Sequence, residues 1–120
     1  MAEKPKIFDS EYRFCEILWE EEPIKSGELA AICAEKLDWK KSTTYTVIKR
    51  LTERGIIKSE NSVVTSIVSR EEAQETESRE IVKKGFGGSL PKFIAAFTRT
   101  EKLSAEEIAE IRKMIDEFEA

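Results

Sequence analysis

The sequence predicts a mainly α chain with one small β-hairpin, and two observations support that reading. Apolar residues recur at i, i+3 and i+4 along most of the 120 residues, the period of a helix with one buried face. The pattern changes once, where Ile56-Ile57-Lys58 and the β-branched run Val63-Val64-Thr65-Ser66-Ile67-Val68 flank the polar turn Glu60-Asn61-Ser62.

Taken in order, Asp9 or Ser10 is placed to cap a first helix, with Ile7-Phe8 outside it as an apolar staple. That helix runs to about Glu20 and stops at the acidic run and Pro23. Ser26 is placed to cap a second helix striped by Leu29, Ala30, Cys33 and Leu37. Ser42 or Thr43 opens a third, which ends at Arg54 with Gly55 as its stop. Three helices followed by a hairpin is the order of a winged helix-turn-helix. Ser69-Arg70-Glu71-Glu72 then has the form of a capping box, and the helix it opens is polar until Ile81-Val82. Gly85, Gly87 and Gly88 are expected to break it. A short helix with Leu90, Phe93, Ile94 and Phe97 follows. A second capping box at Ser104 to Glu107 opens a last helix striped by Ile108, Ile111, Ile115 and Phe118. The expected organisation is a winged-helix domain over residues 1–69 and a helical dimerisation segment over 70–120. The latter is too short for a core of its own, so its stripes call for a second copy of the chain.

Composition narrows the function. Hydrophobic residues at 40% permit a core, while 37% charged residues leave much helix surface solvated. The apolar runs are too short for a membrane span, and the first residues lack the apolar stretch of a signal peptide, so a cytoplasmic location is expected. The two cysteines, Cys15 and Cys33, lie on apolar helical stripes and read as buried thiols. With no histidine, neither a metal site nor a cofactor is expected, and no catalytic constellation is evident, so the chain does not read as an enzyme.

Net charge is −4, yet residues 40–58 carry Lys40, Lys41, Lys49, Arg50, Arg54 and Lys58 against Glu53 alone. This basic island coincides with the third helix. On a helical wheel, Thr44, Val47, Ile48 and Leu51 face inward, whereas Ser42, Thr43, Tyr45, Thr46 and Lys49 face outward with Arg50 at the edge. Short hydroxyls that approach base edges, cations for flanking phosphates and a helix N-terminus preceded by Lys40 and Lys41 suit a major-groove reader. Ser-Thr-Thr-Tyr-Thr is also a poor choice on helix propensity alone. The expected DNA-binding residues are therefore Lys40, Lys41, Ser42, Thr43, Tyr45, Thr46, Lys49 and Arg50. The alternative is a winged-helix protein-interaction module that binds no DNA, which the net negative charge and the acidic wing residue Glu60 favour.

The run from Asp38 through Thr43-Thr44-Tyr45-Thr46-Val47-Ile48-Lys49-Arg50-Leu51 to Gly55-Ile56-Ile57 resembles the recognition helix and first wing strand of the BlaI/MecI/CopY repressors, the penicillinase-repressor family. Glu16-Ile17-Leu18-Trp19 is similar to the end of that family's first helix. Phe86-Gly87-Gly88-Ser89-Leu90 and Leu103-Ser104-Ala105-Glu106-Glu107-Ile108 are similar to its dimerisation segment. The resemblance implies a homodimeric transcriptional repressor on a palindromic double-stranded DNA operator, of a β-lactam-resistance or related stress operon. The apolar stripes of the last two helices assign dimerisation to Leu90, Phe93, Ile94, Phe97, Ile108, Ile111, Ile115 and Phe118. In the family's resistance branch the resemblance also implies a regulatory protease cutting within the C-terminal segment, at a place corresponding to Ala96 and Phe97. The sequence departs from the family in having no C-terminal cysteine or histidine, which removes the copper-sensing mode. Its wing, Ser59-Glu60-Asn61-Ser62, has no arginine, and Val64, Thr65 and Ile67 replace the usual aromatic residues of the second strand.

Overall fold

A computed structural model describes residues 5–118 of the chain. The elements are α1 (Asp9–Glu21), β1 (Ile24–Lys25), α2 (Ser26–Leu37), α3 (Lys41–Glu53), β2 (Ile57–Glu60), β3 (Val63–Ser66), α4 (Arg70–Phe86), α5 (Leu90–Thr100) and α6 (Ala105–Asp116). The chain divides into two compact units, with the division inside α4 between Ser78 and Arg79.

The first unit is a winged helix. Its core gathers one face of each of the first three helices and the inner face of the sheet, with Phe14, Leu18, Leu29, Leu51 and Val64 fully buried. The sheet has three strands in the order β1-β3-β2, all antiparallel, with Ile24 opposite Val64 and Ile57 opposite Ser66. The hairpin expected from sequence is thus joined by a third strand. Two residues are too few to show alternation, so β1 left no trace in the pattern. The turn between β2 and β3 places Asn61 and Ser62 at φ 52° and 65°, both left-handed as a two-residue hairpin of this kind requires. The Ser26 amide donates to the Ser62 carbonyl at 2.8 Å, tying the turn to the start of α2.

Helix ends follow local chemistry with small shifts from the expected positions. α1 begins after Phe8, and Glu11 reaches back to accept from the Phe8 amide at 3.0 Å. Of the proposed staple, Ile7 is buried and Phe8 half exposed. α2 and α3 begin at Ser26 and Lys41, so Ser26, Ser42 and Thr43 lie within their helices, and the residues before the helices, Lys25 and Lys40, make no side-chain cap. α3 stops where Gly55 takes φ 77°. The Gly55 amide donates to Thr52 and the Ile56 amide to Leu51, the paired bonds that close a helix on a left-handed glycine.

α4 opens on the expected capping box: Ser69 Oγ accepts from the Glu72 amide and Glu72 from the Ser69 amide, each at 3.1 Å. Ala73 joins the winged-helix core, and Arg70 stacks over Trp19 at 5.7 Å. Those packings keep the first turns of α4 with the winged helix, so the compact unit extends beyond Ser69. Gly85 lies inside α4, which breaks instead at Gly87 and Gly88, both at positive φ.

In the second unit, Ser89 caps α5 by accepting from the Lys92 amide, and Ser104 and Glu107 form a reciprocal box at 3.0 Å on α6. Phe86, Phe93 and Phe97 make a short aromatic ladder, with centroid distances of 5.3 Å and 6.3 Å. Neither α5 nor α6 has a buried residue. Phe118 lies past the end of α6 rather than on its stripe.

Candidate nucleic-acid interface

α3 divides into two faces as its sequence pattern demands. Thr44, Val47, Ile48 and Leu51 are buried, and Lys40, Lys41, Ser42, Thr43, Tyr45, Thr46, Lys49 and Arg50 are all exposed at or on the helix. The inner face packs into the winged-helix core, which holds the outer face in fixed orientation.

The hydroxyls and cations of the outer face are not equivalent. Thr46 Oγ1 donates to the Ser42 carbonyl at 2.9 Å, so its proton is engaged within the helix and its lone pairs point to acceptor use. Lys41 Nζ lies 5.9 Å from the Tyr45 ring centroid, over the ring. Of the six cations of the basic island, Arg54 is withdrawn from the surface. Its Nη1 donates to both oxygens of Glu11, at 2.8 Å and 2.6 Å, and its Nη2 donates to the Lys6 carbonyl. Glu11 is only 2% exposed. Arg50 sits next to the same carboxylate, with Nη1 4.0 Å from Glu11 Oε2, while its side chain stays 54% exposed.

A shallow concavity of about 350 Å³ opens beside the helix, lined by Ser10, Glu11, Trp39, Ser42, Thr43, Thr46, Val47 and Arg50. Ser10, Glu11 and Trp39 are neighbours that the sequence did not nominate. Glu11 offered a partial signal as a buried-phase acid on the apolar side of the first helix; its partners lie far along the chain. On the wing, Lys58, Ser59, Glu60, Asn61 and Ser62 are exposed. The wing therefore offers one cation and one anion to any ligand of α3.

The thiols belong to the core. Burial pushes Cys15 up to about 12, and burial also raises Cys33, against a smaller opposing effect of the adjacent Thr44 hydroxyl. Among the described residues no cluster of His, Cys, Asp and Glu is arranged to hold a metal ion, and no helix is long and apolar enough to cross a membrane.

The residues assigned to dimerisation lie on α5 (Leu90, Phe93, Ile94, Phe97), on α6 (Ile108, Ile111, Ile115) and just after it (Phe118). Leu90, Phe97, Ile115 and Phe118 are prominently exposed, and Phe93 and Ile111 are half-buried. Ala96 and Phe97 fall in the middle of α5.

The sequence profile of the family described as penicillinase repressor matches residues 7–117. The penicillinase repressor of Bacillus licheniformis is 23% identical over 98% of this chain and 94% of its own length. The methicillin resistance regulatory protein MecI of Staphylococcus aureus is 25% identical over 92% of this chain and 94% of its own. Among solved structures, the DNA binding domain of the repressor BlaI superposes with a TM-score of 0.50 at 22% identity, covering 60% of this chain and 93% of that domain. The chain belongs to the penicillinase-repressor family, a family of DNA-binding transcriptional repressors and not of enzymes.

Proposed function

We propose that this member of the family acts in the cytoplasm as a homodimer on a palindromic operator, with α3 of each copy in the major groove of one half-site. The observation that supports this most strongly is the segregation of α3. One face is entirely core, and the other presents exposed hydroxyls and cations. On this reading Ser42, Thr43, Tyr45 and Thr46 meet base edges, and Lys40, Lys41, Lys49 and Arg50 meet phosphates. The exposed apolar residues of α5 and α6 supply the surface for the second copy. The names of the relatives, repressors of penicillinase and of methicillin resistance, support an operon of β-lactam resistance or a related stress response. A regulatory protease cutting near Ala96-Phe97 would act on a helix that must first open locally, because that bond lies inside α5.

The test is fluorescence anisotropy on duplex DNA across a salt series. Lys49→Ala is expected to weaken binding to all sequences alike and to flatten the log–log salt slope by about one unit, as for one lost phosphate contact. The acidic wing residue Glu60 favours the second reading, a module that binds protein and not DNA. Binding without salt dependence, or no binding of duplex, would refute the DNA reading and leave the second.

A further inference from the structure

Glu11 stands apart from the DNA-facing residues, yet it organises two of the basic island's cations. Its carboxylate is 2% exposed and accepts from the Phe8 amide and from Arg54 Nη1. Arg50, on the outer face of α3, brings Nη1 within 4.0 Å of the same carboxylate. Glu11 also lines the concavity shared by Ser42, Thr43 and Thr46. One buried anion thus faces two arginines one helical turn apart, at the edge of the face that meets DNA.

We infer that Glu11 is a positioning residue for DNA binding: it holds the α3 arginines against the protein and restrains them from the phosphates of any duplex. This rests on the reading that α3 binds DNA. Arg54 is the closely bonded partner and anchors the end of α3. Arg50 is the looser one, able to exchange the carboxylate for a phosphate. That exchange carries a penalty on every duplex. On a cognate site, base contacts made by the hydroxyl face offset it. On random sequence nothing does; the ratio of the two affinities is unchanged, and Glu11 sets how weakly the chain holds duplex that lacks a site.

The test uses the full chain and a random-sequence duplex, read by anisotropy over a salt series, in wild type, Glu11→Gln, Arg50→Gln and the double variant. Glu11→Gln is expected to bind random duplex about threefold tighter, the scale of one half-exposed ion pair released, with a steeper salt slope. In the Arg50→Gln background that gain is expected to fall to less than half, as a double-mutant cycle of coupled residues requires. A merely structural role for Glu11 would lower affinity or leave it unchanged, and either result in a folded variant overturns the inference. A gain undiminished by Arg50→Gln overturns it as well. Should Glu11→Gln fail to fold, Glu11→Asp keeps the charge and draws it back by one methylene. It is expected to give a smaller gain of the same sign, and an unchanged affinity there also overturns the inference. Wild-type chain that shows no salt-dependent binding refutes the DNA reading itself, and this outcome is visible before any variant is compared.

Discussion

Arg54→Ala removes the closest partner of a buried carboxylate. Glu11 is 2% exposed and bonded by Arg54 Nη1 at 2.6 Å and 2.8 Å. Breaking a fully buried pair by deleting one partner costs about 3–5 kcal/mol. Two features reduce that figure here: Arg54 is 27% exposed, and Arg50 lies 4.0 Å from the orphaned oxygen and can turn toward it. Two others raise it. The variant loses the Arg54 bond to the Lys6 carbonyl, and it loses the stacking of the guanidinium 4.4 Å over Phe8, worth about 0.5–1 kcal/mol at such a site. The expected loss is about 2–4 kcal/mol, a large share of a typical domain stability of about 5–15 kcal/mol. Urea unfolding followed by tryptophan fluorescence measures it. The chain's two tryptophans, Trp19 and Trp39, both pack against the winged-helix core and report on that unit. The midpoint is expected to fall with the slope unchanged. Glu11→Leu combined with Arg54→Met, which removes both charges, is expected to recover most of the loss. A loss under about 0.5 kcal/mol in Arg54→Ala would show that the pair does not hold α3 in place, and the reasoning would fail.

Thr43→Ala and Thr46→Ala are each expected to weaken cognate binding by about 1–3 kcal/mol and relax base preference, with no loss of stability; unchanged cognate affinity in both refutes the assignment of the hydroxyl face. Ile111→Asp with Ile115→Asp is expected to sediment as a monomer with an intact winged helix, and a variant that remains dimeric removes the α6 stripe from the interface. Both thiols are held neutral by burial, Cys15 up to about 12, so neither is expected to react with a thiol reagent at pH 8 until the protein is unfolded. The raised folded-state value contributes stability that is complete below the ordinary thiol range. That contribution is lost as pH rises toward 12, because the unfolded thiols ionise first. Prompt labelling of the native protein at pH 8 contradicts this.

The two faces of α3 were legible because one helical period orders them. Thr44, Val47, Ile48 and Leu51 alternate with the hydroxyls and cations at the spacing of a single face, and the fold buries those four. Gly55 was legible for the same local reason, since a left-handed stop leaves its mark at one residue. What was not legible depended on distant partners. Ser26 reads as the cap of α2, yet the bond of its amide to the Ser62 carbonyl and the pairing of Ile24-Lys25 accompany a helix that already starts at Ser26, with Lys25 before it. β1 exists because Ile24 finds Val64, and two residues carry no period. Arg54 counted as a surface cation until Glu11, 43 positions away, claimed it. Gly85 reads as a breaker on propensity alone, but a glycine costs a helix only about 1 kcal/mol, and α4 continues through it.

The most direct test of the central claim, that the outer face of α3 reads DNA sequence, is selection of duplexes from a random library by the full chain, beside the Thr43→Ala, Thr46→Ala double variant. The wild type is expected to enrich an inverted repeat whose half-sites are separated by one helical turn, about 10–10.5 base pairs, or a multiple of it. The variant is expected to lose that preference while still binding duplex through its lysines and Arg50. Enrichment of the same repeat by both proteins, or of none by the wild type, contradicts the account.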